Sequence, residues 1–322
     1  MKNDVIVFDV SGEGHRRNYV CFLSSILSAR GLIGDWRRHL ASLLWERSIF
    51  FSTFESAPAV FSIVTVVRAL LGKRTALIIL RPAITGRGMT QKVKVFVHRI
   101  LTMLPRTRVI VVTPLPRGSH LEGRVHFLKD PEFWDLDPAA TRGSTDLAEE
   151  IGTAAAGRDI LMFAGGISED KGAGYLAELM TQAQFSDLHL LVVVAGKVSL
   201  DAQASIALIQ KRGGFVVDRL LTDDELFSLY AQSRFSWCCY APERDMSSGI
   251  FGRSLQLGVW PIVRRNSLLD QVRQSYGFGS SINWKNASDA VAAIAEIVVI
   301  DQKTTIGREQ EIERLKNIIS QN

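Results

Sequence analysis

At 322 residues, with 47% hydrophobic and 22% charged positions, the composition excludes a disordered chain and suits two domains of ordinary size. The net charge of +5 conceals a split: residues 1–129 carry 20 Lys and Arg against 7 Asp and Glu, and the remainder carries 18 against 26. A basic first half beside an acidic second half points to an anionic partner for the first, and without an aromatic-rich basic stripe that partner is not expected to be nucleic acid.

In chain order, Val5 to Val10 reads as a buried strand bracketed by Asp4 and Asp9, not as the apolar core of a secretory signal, so a cytoplasmic location is expected. Ser11 to His15 is a tight polar turn before a helix from Arg16 to Ala29. Further helices are predicted at Trp36 to Trp45 and from Pro58 to Gly72, with a strand at Ser48 to Phe54 between them. The most apolar stretch, Ala57 to Val67, ends at Arg68, far short of the ~20 residues that span a bilayer. Strands follow at Ala76 to Leu80, Arg108 to Val112 and Arg124 to Leu128, with a helix at Thr90 to Leu104. In that helix Val93, Phe96, Val97, Ile100 and Leu104 form an apolar stripe among Lys92, Lys94, His98 and Arg99. Such a stripe reads as core packing with a solvated face, or as an amphipathic surface for anionic lipid.

Residues 130–158 are rich in turn formers and small residues and read as the link between domains. The expected division is 1–140, a linker at 141–158, and 159–322, with the last helix, Arg308 to Ile319, a candidate for packing back on the first domain. Strands at Ile160, Leu190, Phe215 and Phe235 then alternate with helices near Ala173, Ala202, Asp223 and Ser248, and Leu268 to Tyr276 and Ala287 to Val299 read as helices. Alternation throughout implies an α/β protein of two αβα domains, each with a parallel sheet, and a ligand cleft between them. Cys238 and Cys239 are adjacent in a strand, where side chains alternate faces, so neither a bridge nor a shared metal is expected. With Cys21 they read as buried reduced thiols.

Two segments carry the chemistry, Ile160 to Gly172 and Ala241 to Pro261. Each runs from a strand through a polar loop into a helix, aiming backbone N–H groups and a positive dipole end at one sheet edge, which is how such proteins hold phosphate. Two such loops in one domain point to a nucleotide diphosphate. Lys171, after Gly165 and Gly166, is placed either to meet a diphosphate or to be a solvated first-turn lysine. Ser247, Ser248 and Gly249 form either a donor-binding loop or an ordinary helix start, and Asp245 is a donor contact or a turn aspartate. In the first domain Gly12-Glu13-Gly14-His15 does not complete a dinucleotide fingerprint, because Asn18 and Tyr19 fill the later positions. Glu13 and His15 are candidates for an acceptor hydroxyl, or parts of a surface turn, and Arg81 ends a strand where it could face the same cleft.

Phe163-Ala-Gly-Gly-Ile-Ser-Glu-Asp-Lys171-Gly172 resembles the F-x-G-R-x-x-x-x-K-G segment of GT-B glycosyltransferases related to family 4, and Asp245 to Pro261 resembles their E-x7-E…G-x-P segment. The resemblance implies two Rossmann-like domains and transfer of a sugar from a nucleotide-diphosphate sugar, with retention, without a metal or other cofactor. Together with the basic first half and its amphipathic helix, this leads to the expectation of an anionic or lipid-linked glycan acceptor and a peripheral place on the inner face of a membrane. The implied catalytic residues are Lys171, Asp245 and His15, and the donor site comprises Gly165, Gly166, Lys171, Arg219, Ser247, Ser248, Gly249 and Arg253. Gly12, Glu13, Gly14, His15 and Arg81 would stand on the acceptor side. Three positions depart from the pattern: Gly166 replaces its arginine, Asp245 its first glutamate and Arg253 its second. A guanidinium has no acceptor for ribose hydroxyls, so Arg253, or Arg219, is expected to face phosphate and restore the charge missing at Gly166. The competing expectation is a catalytically degenerate GT-B scaffold. Asp135-Leu-Asp137 has the spacing of a metal-binding pair but lies in the linker region.

Overall fold

The computed structural model of the chain describes residues 5–12, 15–80, 82, 89–112, 115, 119, 121–136, 144–297 and 308–320. Expectations placed on Glu13, Gly14 and Arg81, and on the side chain of His15, lie outside the described residues. The chain divides into two compact units, Met1–Pro131 with Gly307–Asn322, and Glu132–Ile306.

In the first unit β1 (Val5–Asp9), α1 (His15–Ile26), β2 (Arg30–Ile33), α2 (Leu40–Trp45), β3 (Ser48–Phe51), α3 (Pro58–Leu70), β4 (Arg74–Ile79), α4 (Met89–Met103), β5 (Thr107–Val111) and β6 (His126–Phe127) alternate. Among the described residues the strands form one parallel sheet in the order β2-β1-β3-β4-β5-β6. Alternate residues bury both faces: Ile6, Phe8, Ile49, Phe51, Leu77 and Val109 pack with Phe61, Val64 and Leu101, while Val7, Phe50, Ile78 and Ile110 are buried on the other side. Strands covered twice read as continuous apolar runs, which made them legible. β2 was not expected, because Arg30–Ile33 is only partly buried and holds Gly31. The C-terminal helix, Arg308–Ser320, belongs to this unit: Leu315 and Ile318 are buried, and Glu311 accepts from the Lys129 amide at 3.3 Å.

Side chains of α3 and α4 depart from a simple apolar-in, charged-out pattern. Arg68, which closes the apolar stretch of α3, is buried, donating to the carbonyls of Leu43 (2.8 Å), Glu46 (3.1 Å) and Arg74 (2.6 Å) and to Thr75 Oγ1 (3.0 Å). It satisfies carbonyls at the end of α2 that the helix cannot. Its own burial, opposed by Glu46, draws its pKa down to about 10. In α4 the buried face runs through Val97, His98 and Leu101, with His98 edge-on to Phe54 at 5.7 Å. Val93 and Phe96 stand 52% and 64% exposed. The core stripe expected for this helix is therefore met in part: Val97 and Leu104 pack against the core, whereas Val93 and Phe96 do not, and His98 and Leu101 are buried instead. Cys21 is also exposed, contrary to expectation.

The second unit runs through α5 (Asp146–Ala155), β7 (Asp159–Ala164), α6 (Ala173–Leu179), β8 (Leu190–Ala195), α7 (Gln203–Lys211), β9 (Phe215–Val217), α8 (Asp223–Gln232), β10 (Phe235–Cys238), α9 (Gly249–Leu257), β11 (Trp260–Arg264), α10 (Leu268–Tyr276), β12 (Ser280–Ile282) and α11 (Ala287–Ile297). Its parallel sheet has the order β12-β11-β10-β7-β8-β9, the doubly wound dinucleotide-fold order read from β9. β11 was missed because of Pro261, which usually rules out an inner strand. The strand tolerates it because pairing with β12 begins one residue later, at Ile262, so no ladder partner needs the missing N–H.

Residues 141–158, expected as a linker, contain α5 instead. Thr145 caps it, its side chain accepting from the Ala148 amide at 3.2 Å, and Leu147, Ile151 and Ala155 enter the core against β7 and β8. The Ala154 to Gly157 run that read as flexible is the helix end, closed at Ala156 with φ 47°. The boundary accordingly falls after Pro131 rather than at 140. Ile151→Ala is expected to cost about 2–5 kcal/mol of unfolding free energy in a urea titration. A loss below about 0.5 kcal/mol, the level of an ordinary surface change, would return the segment to the status of a linker.

Candidate active site

The order of the second sheet reverses between β7 and β10, and ligands of such sheets bind outside the carboxyl ends of the strands at that reversal. The segments leaving those two strands are Gly165 to Gly172 and Cys239 to Ser248, the two that the sequence singled out. Gly172 holds φ +85°, and a Cβ there would lie 2.2 Å from the Cys239 carbonyl oxygen, so only glycine lets the loops touch. The Ala241 amide then donates to the Asp170 carbonyl at 2.9 Å. A Cβ on Gly165 would meet Ile250, in the first turn of α9, at 3.4 Å. The Tyr240 hydroxyl lies 2.7 Å from Ser248 Oγ, which caps α9 by accepting from the Phe251 amide at 3.3 Å. Gly165, Gly166, Lys171, Ser247, Ser248 and Gly249 are thus gathered at one sheet edge.

Lys171 is half-buried and donates to the Gly166 carbonyl at 2.6 Å. Burial lowers its pKa, and the neighbouring Arg244 guanidinium lowers it further, against the pull of Asp170. Arg244 pairs with Asp170 at 2.5 Å and lies over the Tyr240 ring. Burial pushes the Asp170 carboxyl up, but hydrogen bonds from Ser168 and Arg244 and the charges of Arg244 and Lys171 overcome it and leave its pKa below the ordinary value. Arg264, at the end of β11, donates to the Tyr240 carbonyl at 3.0 Å and to Asp245 Oδ1 at 3.1 Å. Arg244 and Arg264 were not singled out from the sequence; the usable signal was a cation directly after an inner strand or its first turn.

Three expected residues have other partners. Asp245 Oδ1 also accepts from the Leu268 amide at 2.8 Å, so this carboxylate is engaged at the start of α10. Arg253 makes a two-pronged pair with Asp135, Nη2 to Oδ2 at 2.9 Å, and both side chains are largely buried. Arg219 makes a similar fork with Glu225, 2.6 Å and 2.8 Å, and this holds the Glu225 carboxyl down to about 2. The expectation that Arg253 or Arg219 supplies the charge missing at Gly166 is corrected: each guanidinium is matched by a carboxylate of nearly ideal shape.

In the first unit, β1 and β3 lie side by side at the corresponding reversal. Asp9, buried at the end of β1, accepts from Ser52 Oγ at 2.8 Å and from the Ser11 amide at 3.1 Å, which fixes the backbone leading to Gly12. Among the described residues no group of three or more His, Cys, Asp or Glu is placed to hold a metal ion.

No family model matches the chain, and no curated protein matches it by sequence. Solved structures do resemble it. HepE of Anabaena, in complex with UDP and glucose, superposes with TM-score 0.63 at 11% identity over 98% of this chain and 96% of that one. Sucrose-phosphate synthase of Thermosynechococcus elongatus gives 0.57 at 11% over 98% and 94%. The UDP-GlcNAc 2-epimerase of Methanocaldococcus jannaschii, in complex with UDP-GlcNAc and UDP, gives 0.53 at 10% over 98% and 99%. The chain has the GT-B fold of these glycosyltransferases, and because an epimerase shares it, the reaction must be argued from the residues.

Arg253→Ala leaves Asp135 buried without its partner, so it is expected to destabilise the chain by about 3–5 kcal/mol in a urea titration. A loss below about 0.5 kcal/mol, the level of an ordinary surface change, would show that the fork on Asp135 is dispensable.

Proposed function

We propose that the protein is a glycosyltransferase that takes a sugar from a nucleotide-diphosphate donor and passes it to an anionic or lipid-linked glycan, with retention and with neither metal nor further cofactor. The observation that carries this reading is the adjacency of Lys171 and Arg244 at the β7–β10 reversal, beside the capped start of α9. Negative charge grows on the diphosphate as the sugar leaves, and an ammonium, a guanidinium and oriented N–H groups in a partly dry crevice stabilise that charge. The acceptor hydroxyl would attack on the face the diphosphate leaves, and the segment Gly12 to His15 is proposed for the acceptor.

Lys171→Ala is expected to lower turnover of a UDP- or GDP-sugar by about 10²–10³-fold, followed by mass spectrometry of transfer or slow hydrolysis. Because burial lowers the Lys171 pKa, donor binding should weaken as pH rises, and earlier than for an ordinary lysine. Calorimetry in which the wild type binds no UDP- or GDP-sugar would replace this reading by the degenerate scaffold.

The same proposal includes docking on the inner face of an anionic membrane. No described helix is long and apolar enough to cross one. The sequences of α3 and α4 contain no Asp or Glu, and the faces they expose carry Ile63, Leu70, Val93, Phe96 and Met103 beside Lys92, Lys94 and Arg99. Apolar side chains interleaved with cations are what an interfacial helix requires. Phe96→Glu together with Val93→Glu should reduce sedimentation with phosphatidylglycerol vesicles at least tenfold. Sedimentation indifferent to anionic lipid content would remove the membrane from the proposal.

A further inference from the structure

In the first unit α3 and α4 enclose a groove of about 260 Å³, smaller than the roughly 300–1,000 Å³ sites that take drug-sized ligands. Ile63, Val66 and Val67 line it from α3, and Val97, Ile100 and Leu101 from α4. Leu101, buried in the same core as Phe54 and Phe61, forms the floor. Ser62 is the one polar residue on the wall among the described residues, and its hydroxyl is engaged, donating to the Pro58 carbonyl at 2.6 Å.

The residue types keep this groove open. Ile63, Val66, Val67, Val97 and Ile100 are β-branched, and such side chains hold one rotamer in a helix, so they do not swing across to fill the gap. Helical spacing extends the apolar strip beyond both ends. Leu70 stands one turn past Val66, Met103 one turn past Ile100, and Val93 and Phe96 one turn before Val97 and Ile100; all four are exposed. Lys94 is the i, i+3 neighbour of Val97, and Lys92 and Arg99 stand four before and three after Phe96. Neither helix contains Asp or Glu, so the surroundings of the groove are cationic.

We propose that the groove receives one acyl chain of an anionic phospholipid, drawn from the leaflet on which the first unit docks. Such a slot presupposes the membrane docking proposed above and adds to it, because docking alone needs only exposed side chains. Protein partners place about one hydrogen bond per 100–200 Å² of interface. This wall offers no side-chain donor or acceptor, and the backbone groups of both helices are paired within them, which suits a hydrocarbon chain. Lysine and arginine one turn away meet the anionic headgroup where the chain leaves the groove.

The test is photocrosslinking of the full chain on phosphatidylglycerol vesicles in which some lipid carries a diazirine midway along one acyl chain, with sedimentation of the same samples measured in parallel. Crosslinks are expected at Val66, Val67, Val97 and Ile100. Filling the groove with Val66→Phe and Ile100→Phe should lower crosslinking at Val67 and Val97 about tenfold, the equivalent of two methylenes returned to water, while sedimentation persists. Should that variant not fold, the wild-type map decides: crosslinks confined to Leu70, Val93 and Phe96 overturn the slot and leave the docking standing. A chain that fails to sediment removes both. Equal crosslinking in phosphatidylcholine vesicles bearing the same diazirine overturns the anionic headgroup. A lipid-free dimer that becomes a monomer when the groove is filled assigns the groove to a second copy of the chain and overturns the proposal.

Discussion

The contact between residue 172 and the carbonyl of Cys239 sets the geometry of the second unit's crevice. The position demands a left-handed backbone and tolerates no Cβ, and both demands fall on one glycine. Because the loops touch there, the Asp170 carbonyl can receive the Ala241 amide, and the Asp170 carboxylate can receive Arg244. Lys171, one residue earlier, then has its ammonium held over the Gly166 carbonyl instead of in solvent. A side chain at 172 would separate the loops before altering any charge, so the electrostatics of the crevice are subordinate to this packing.

The charges follow from that geometry. Gly166 stands where the motif the segment resembles has an arginine, and Arg244 and Arg264 bring guanidinium groups to the same sheet edge from the next two strands. Arg253 serves the segment before α5 instead. Its fork on Asp135 joins hydrogen bonds of Gln256 with the Glu132 carbonyl and the Leu136 amide, 2.6 Å and 2.9 Å. A Cβ on Gly252 would lie 2.4 Å from the Phe133 ring. One face of α9 is thereby given to clamping residues 132–136, and a carboxylate at 253 would break that clamp. The departure from the motif is explained as structure, whatever the helix's first turn binds.

Much of the architecture was legible because strands buried on both faces cannot hide: Val5–Asp9, Asp159–Ala164 and Leu190–Ala195 are apolar at nearly every position. What escaped notice depended on partners far along the chain. Pro261 is tolerable only because β12 starts its pairing one residue late. α5 looks like a linker until Leu147 and Ile151 find β7 and β8, and its small residues weaken the local signal. For the site, the glycines, Lys171 and the capping serine were readable from strand–loop–helix grammar. The pairings of Arg253 and Arg219 were not, since Asp135 lies 118 positions from Arg253 and a sequence does not reveal which carboxylate a guanidinium will meet.

The basic first half of the chain was read as a single feature, and the structure divides it into three. Arg68 is an internal fastener whose charge never reaches solvent. Lys92, Lys94 and Arg99 lie on a helix that also exposes Val93 and Phe96. Arg47, Arg74, Arg106 and Arg108 are drawn together at the start of the strands by the register of the sheet. Burial opposes the first, apolar neighbours give the second its use, and strand register alone sets the third. The same excess of charge is therefore neutralised by backbone carbonyls in one place and set among exposed apolar side chains in another.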